Sequence, residues 1–175
     1  MITATNVTKH FGEILAVNDV NVTIKSGEVF GLIGTNGAGK STFLRMAAGV
    51  LKPDSGKILV DEKPVYENPS VKADIFYISD DQYFLPNATP RDMASFYQDY
   101  YASFDRVRFD EMLGNFQLKP NRRINTFSKG MKKQLSVLLG VCANTKYLFC
   151  DETFDGLDPV MRQVVKSIFA GELLE

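Results

Sequence analysis

Gly34-Thr35-Asn36-Gly37-Ala38-Gly39-Lys40-Ser41 satisfies the pattern G-x-x-x-x-G-K-[ST], and the residues on either side supply the context that the pattern needs. Before it, Val29-Phe30-Gly31-Leu32-Ile33 is an unbroken apolar run, expected to be a central strand covered on both faces. After it, Phe43, Met46, Ala47 and Val50 fall at i, i+3, i+4 and i+7, the apolar stripe of a helix expected to stop between Gly49 and Pro53. Strand, glycine-rich loop and helix in this order make a phosphate cradle. The glycines let the backbone wrap closely round phosphate oxygens, and amides at the helix start add the positive end of its dipole. Gly34, Thr35, Asn36, Gly37, Ala38, Gly39, Lys40 and Ser41, with Thr42 in the first turn, form the expected phosphate-binding set. Lys40 is expected to reach the β- and γ-phosphates as a point charge, and the Ser41 hydroxyl to ligate Mg²⁺.

Working outward, residues 2–33 are rich in Val, Ile and Thr, with period-2 stretches such as Val20-Asn21-Val22-Thr23-Ile24 broken at Gly12 and at Ser26-Gly27. That predicts strands joined by tight turns. Ile58-Leu59-Val60 and the run from Ile75 to Ile78 are two further short strands. Thr89-Pro90-Arg91-Asp92 then offers a capping hydroxyl, a proline at the first helical position and a carboxylate in the first turn. Met93, Phe96, Tyr97, Tyr100, Tyr101 and Phe104 follow at helical spacing. Because no basic residues interleave with these aromatics, the stripe predicts packing and partner contact rather than a base-stacking platform. A second helix is expected over 108–118, and a third opens at Ser128 with Met131, Leu135, Leu138, Leu139 and Cys142 on one face. Tyr147-Leu148-Phe149-Cys150 is a short apolar strand. Strands alternating with helices give an α/β class: a P-loop NTPase core with a largely parallel sheet, an N-terminal antiparallel β-subdomain and an inserted helical subdomain over about 87–127. A single domain spanning 1–175 is expected.

Composition narrows the partners. The 175 residues are 45% hydrophobic and 23% charged, a balance that excludes disorder. Lys and Arg number 20 against 21 Asp and Glu, and a net charge of -1 supplies no field for gripping nucleic acid or anionic lipid. No nucleic-acid partner is expected. Cys142 and Cys150 lie in apolar surroundings without a Cys-x-x-Cys, which predicts reduced core thiols of a cytoplasmic protein. The longest apolar stretch, 135–143, falls far short of the ~20 residues that span a bilayer, and no leader pattern opens the chain, so it is expected to be neither inserted nor exported.

Asp151 and Glu152 close the last apolar strand. On its own, a pair of acids at a strand end is an ordinary solvated exit. The phosphate loop changes that reading, because in a P-loop fold the acid ending the neighbouring strand lies beside Mg²⁺ and holds it, usually through water. Ser41 and Asp151 are therefore the expected metal ligands, and Glu152 the general base that orients or deprotonates the attacking water. Lys40 and Glu152 are the expected catalytic groups.

Phe127-Ser128-Lys129-Gly130-Met131-Lys132-Lys133-Gln134 and Gly156-Leu157-Asp158-Pro159 complete a series of motifs whose order and spacing resembles the ATP-binding cassette, the nucleotide-binding subunit of ABC transporters, over essentially the whole chain. In that family the signature is typically L-S-G-G-Q, and Phe127 to Met131 looks like a variant that keeps the Ser and the second Gly. Ser128 and Gly130 make an anion-binding helix start suited to a γ-phosphate. The resemblance implies a head-to-tail dimer with a second cassette, identical or not, in which each ATP lies between one chain's phosphate loop and the other chain's Ser128 helix. Asp158 matches the loop that crosses this interface, and Phe11 the aromatic that stacks on adenine. His10 is assigned no role. Further implications are ATP and Mg²⁺ as ligands, a separate transmembrane permease met by the helical insertion, and a place at the cytoplasmic face of a membrane.

Two departures accompany the resemblance. The family's Q-loop glutamine falls on Asp80 when aligned through Pro86-Asn87-Ala88-Thr89, with Gln82 the nearest glutamine; the carboxylate at Asp80 is expected to favour a divalent cation. No histidine follows His10, so the family's switch histidine is absent and the chain reads as a C-terminally truncated cassette expected to bind ATP and hydrolyse it poorly. The alternatives are a cassette ATPase of translation or chromosome maintenance, and a small-molecule P-loop kinase, which shares the loop but neither the Ser128 signature nor Gly156 to Pro159.

Overall fold

A computed structural model describes residues 1–155, 157 and 159–172, and the chain divides into two compact units, residues 1–75 and 76–175. The first is built on β1 (Ile2–Phe11), β2 (Ile14–Ile24), β3 (Ser55–Val60) and β4 (Lys63–Pro64), arranged in the order β2-β1-β3-β4. All pairings in it are antiparallel, with Ile2 opposite both Ile24 and Val60, and Ala4 opposite both Val22 and Ile58. Alternation buries Ile2 and Ala4, then slips between Ala4 and Val7, where Asn6 takes a left-handed φ of 51° and its amide donates to Asn21 Oδ1 at 2.8 Å. A bulge of this kind lets Val7 return to the buried face. The short helix α1 (Lys40–Ala47) lies against β2 and buries Phe43, Met46 and Ala47. Val50 is 62% exposed instead of continuing that stripe, because the helix ends at the Ala48 cap. A single turn, α2 (Pro69–Lys72), completes the unit.

The run from Val29 to Ile33 departs from its expectation. It is not a strand, Ile33 is 99% exposed, and no strand among the described residues pairs with it. An apolar run records the burial its side chains favour, whereas a strand also requires a neighbour to take its amides and carbonyls.

The second unit holds β5 (Ile75–Ile78) beside β6 (Tyr147–Cys150), with β5 beginning at the boundary residue. The Asp151 amide donates to the Ile78 carbonyl at 2.9 Å, so the C-terminal ends of the two strands are level and the pair runs parallel. Among the described residues four α-helices belong to this unit: α3 (Pro90–Tyr100), α4 (Arg106–Asn115), α5 (Lys129–Cys142) and α6 (Pro159–Glu172). α3 starts where the sequence places it, through a reciprocal cap in which Thr89 N donates to Asp92 Oδ2 at 2.8 Å and Asp92 N to Thr89 Oγ1 at 3.3 Å. The Thr89 amide, then the Thr89 hydroxyl, which donates to the same Oδ2 at 2.8 Å, hold the Asp92 carboxyl below its ordinary range. α4 begins earlier than residue 108 because Asp105 caps it, accepting from Arg108 N at 2.9 Å.

α5 is the axis of this core. From Leu135 to Ala143 every residue is buried, packed with Met93, Phe109, Leu113, Phe76 and Ile78. The aromatic stripe of α3 turns largely inward: the Phe76 ring lies 5.1 Å from Tyr97 and 5.4 Å from Tyr101, and burial with the neighbouring Tyr97 pushes the Tyr101 phenol up to about 12. Tyr100 is the outward member, 66% exposed. Both cysteines are thiols, and burial pushes Cys150 up to about 11.

Leu138→Ala removes a fully buried side chain and is expected to lower stability by about 2–5 kcal/mol in urea unfolding. Tyr100→Ala, on the exposed side of α3, is expected to stay within about 0.5 kcal/mol of the unsubstituted protein.

Candidate functional site

In the first unit the loop from Gly34 to Gly39 leads into the N-terminus of α1, whose cap is Gly39. Gly37 and Gly39 have φ of 83° and 84°, conformations that side chains with a Cβ resist. At Gly39 there is also no room: a Cβ would stand 2.1 Å from the Ala16 carbonyl oxygen of β2. Thr35 to Ala38 are exposed, and Ser41 and Thr42 are half-buried in the first helical turn. The first amides of a helix have no intrahelical acceptor and carry the positive end of its dipole, so this loop presents donors to an anion.

Lys40 folds back over the loop. Its Nζ donates to the carbonyls of Gly34 and Thr35, each at 2.8 Å. These bonds hold the ammonium on the loop's own rim, from which it can exchange carbonyl oxygens for phosphate oxygens without leaving the neighbourhood. Phe11, also in this unit, ends β1 with its ring 48% exposed. Lys9 Nζ lies 5.7 Å from the ring centroid. Asp54 ties down this strand end, accepting from Lys9 Nζ and from the His10 amide, each at 2.6 Å. The Lys9 bond, then the His10 amide, hold the Asp54 carboxyl below the ordinary range. His10 lies beside the same carboxylate, its Nδ1 3.5 Å from Asp54 Oδ2.

The second unit holds the acidic strand end and the signature-like helix start. Asp151 is 3% exposed, and Tyr77 of β5 donates its hydroxyl proton to Asp151 Oδ2 at 2.9 Å. Glu152, exposed, takes a left-handed φ of 47°, which for a residue with a Cβ costs about 1–3 kcal/mol. Its carbonyl accepts from the Asp155 amide at 3.1 Å and from Lys133 Nζ at 2.8 Å. Lys133, on α5 and 1% exposed, also pairs with Asp80 Oδ1 at 3.0 Å. Asp80 is therefore engaged by a cation of this chain. Ser128 caps α5, its hydroxyl accepting from Met131 N at 3.2 Å while the residue stays exposed. At Gly130 the nearest atom to an added Cβ would be Ser128 Oγ at 3.9 Å. Gly156 and Asp158 lie outside the described residues.

The structure thus brings together, within one unit, the phosphate loop with Lys40, Ser41 and Thr42, and separately Phe11 with Lys9 and Asp54. Within the other it brings Asp151 and Glu152 together with Lys133, Asp80 and Tyr77. Lys133 and Tyr77 are the residues that sequence reasoning misses. The available signal is Lys133's place on α5, where Val137 and Gly140, on the same face, are both apolar. Among the described residues no group of three or more His, Cys, Asp or Glu side chains stands ready for a metal ion. The Ser41 hydroxyl in the first unit and the buried Asp151 carboxylate in the second are each oxygen donors of the kind that Mg²⁺, a hard cation that keeps waters and leans on phosphate oxygens, takes.

A family model described as ABC transporter matches residues 17–155. Among curated relatives, the ABC transporter ATP-binding protein YtrB of Bacillus subtilis is 33% identical over 91% of this chain and 54% of its own length. The bacitracin transport ATP-binding protein BcrA of Bacillus licheniformis is 30% identical over 96% of this chain and 57% of its own. The chain thus spans about half the length of the curated relatives it matches. Among solved structures, an ATP-binding subunit of an ABC transporter superposes with a TM-score of 0.87 at 21% identity, covering 99% of this chain and 75% of the other. An ATP-binding cassette solved as a post-hydrolysis dimer bound to ADP and Pi gives 0.85 at 23% identity, over 97% and 81%. These two likenesses establish the fold.

Gly39→Ala has no space for its methyl group, so it is expected to displace the loop from β2 and to weaken binding of a nucleoside triphosphate at least about tenfold in calorimetric titration. Gly37→Ala meets nothing within 4 Å and carries only the backbone strain, about 1–3 kcal/mol in urea unfolding, with binding changed less than at Gly39.

Proposed function

The chain belongs to the ABC transporter family, and from that membership we propose that it is the ATP-binding and ATP-hydrolysing subunit of a transporter, acting with a second cassette and a separate transmembrane permease. The observation that carries the reading is the phosphate loop: glycine backbone pressed onto β2, a helix N-terminus behind it, and an ammonium held at its rim.

In this reading the amides of Gly34 to Thr42 bind the β- and γ-phosphates and Lys40 neutralises their charge. Phe11 offers its outer face to adenine, which gains apolar burial and ring-face attraction. The Ser41 hydroxyl and the Asp151 carboxylate are the groups that would hold Mg²⁺, which supplies charge neutralisation on the phosphate oxygens. Glu152 accepts a proton from the attacking water as its oxygen bonds to the γ-phosphorus. The bond from that phosphorus to the bridging oxygen breaks, ADP leaves with the electron pair, and phosphate is the second product. Ser128 and Gly130 serve the nucleotide of the partner cassette rather than their own, as a helix start that offers backbone donors to a γ-phosphate.

Among the described residues no helix is long and apolar enough to cross a membrane. In this reading the permease holds the subunit at the cytoplasmic face. The surface proposed to meet it combines the outward side of α3 with a cavity of about 150 Å³ lined in part by Tyr77, Ser79, Gln82, Tyr83, Phe84 and Tyr97. Tyr83, 72% exposed, is its most accessible aromatic. The relatives' names concern bacitracin transport in one case and are silent on cargo in another.

Lys40→Ala is expected to weaken ATP binding by about tenfold or more in titration with a fluorescent ATP analogue, since one charge-assisted contact is lost. Glu152→Gln is expected to keep that affinity and lower single-turnover hydrolysis by about 100-fold or more. Full hydrolysis by Glu152→Gln would exclude it as the base. Tyr83→Ala is expected to leave ATP affinity unchanged and to reduce co-purification with the permease.

A further inference from the structure

Lys133 carries an ammonium into the interior of the second unit, at 1% exposure. A charge in such a place is expensive to bury unless it is paired and hydrogen-bonded. Its two partners both belong to the acidic end of the parallel strand pair: the Glu152 carbonyl at 2.8 Å and the Asp80 carboxylate at 3.0 Å. Filling the core alone would need no charge at this position, and an apolar side chain of similar length would do it. The charge is therefore explained by what it touches.

What it touches is a strained turn. Glu152 has the left-handed φ of 47°, and its carbonyl accepts both the Asp155 amide and the ammonium. Those two bonds fix the peptide plane that follows Glu152, and with it the direction in which the exposed Glu152 side chain leaves the backbone. Asp80, two positions beyond the end of β5, supplies the counter-charge and keeps the ammonium in place. We propose that Lys133 is a positioning residue for hydrolysis: its buried ammonium, anchored by Asp80, locks the Glu152 turn and so aims the carboxylate at the attacking water. This rests on the reading of Glu152 as general base. It also gives the carboxylate at Asp80 a role, as the anchor of that ammonium.

The test uses the full chain with Mg²⁺-ATP and two substitutions. Lys133→Met keeps the volume and deletes the charge; it is expected to slow single-turnover hydrolysis by about 30-fold or more while ATP affinity stays within about twofold. Asp80→Asn, at a position 44% exposed, is expected to fold normally and slow hydrolysis by about threefold to tenfold, and the double variant to be no slower than Lys133→Met alone. Hydrogen exchange at the Asp155 amide is expected to accelerate at least about tenfold in Lys133→Met, because the turn opens. Hydrolysis within threefold of the unsubstituted rate in folded Lys133→Met overturns the proposal. So does a loss of affinity in parallel with the rate, which indicates general packing instead. If Lys133→Met does not fold, Asp80→Asn decides, and a rate unchanged from the unsubstituted chain overturns it. If the unsubstituted chain binds ATP without hydrolysing it, exchange at the Asp155 amide decides, and exchange unchanged in Lys133→Met overturns the locked turn, whereas the reading of Glu152 stands or falls on Glu152→Gln.

Discussion

No side chain fits between the Cα of Gly39 and the carbonyl of Ala16, where a Cβ would approach to 2.1 Å. That contact lets the loop fold down onto β2, and with it the first turn of α1. Because Gly39 also sits at φ 84°, the chain can reverse there and enter the helix directly, leaving the opening amides pointed outward. Phe43, Met46 and Ala47 then bury the opposite face of the same short helix. An eight-residue helix has little stability of its own, so packing on β2 holds the amides in place. Lys40 completes the arrangement with an ammonium that satisfies itself on two loop carbonyls.

The second unit solves a different problem, that of keeping acids at the end of a half-buried strand. Asp151, almost inaccessible, is held by the Tyr77 hydroxyl at 2.9 Å, so it is neither unpaired nor free to turn. Glu152, next along the chain, is exposed and bent into the left-handed region. Adjacent carboxylates are thereby given unlike surroundings: a fixed, buried one suited to a cation and an outward one suited to a proton. A regular strand would also point the two side chains to opposite faces, but would not expose one of them at the strand's end.

The sequence identifies most of this because the chemistry is local. The spacing of glycines before Lys40 and Ser41, the Thr89 cap with Asp92, and the Ser128 cap of α5 are each decided within a few residues. Helix α5 is equally clear, since Leu135, Leu138, Leu139 and Cys142 repeat on one face. What escapes a sequence reading depends on distant partners. Val29 to Ile33 has the composition of a central strand, yet its backbone finds no paired strand among the described residues. Tyr97 belongs to an amphipathic stripe that leaves open which way it faces; its contact with Phe76 turns it inward. Asp105, rather than the apolar pattern, sets where α4 begins.

Asp80 and Lys133 show the same limit from the opposite side. Taken singly, the acid at Asp80, in place of a glutamine, reads as a group that favours a divalent cation. Lys133 lies on a helix whose neighbouring residues from Leu135 onward are buried, where an unpaired charge would be costly. Together they cancel: the ammonium neutralises the carboxylate at 3.0 Å, so Asp80 brings little net field to the acids beyond it, and the carboxylate in turn makes the burial of Lys133 tolerable. The burial of Lys133 makes little physical sense without Asp80, and its ammonium sits against the backbone of Glu152's turn. A substitution at either position therefore has to be judged as a change to the pair, and one that reverses a single charge leaves the surviving partner beside the Glu152 turn with nothing to balance it.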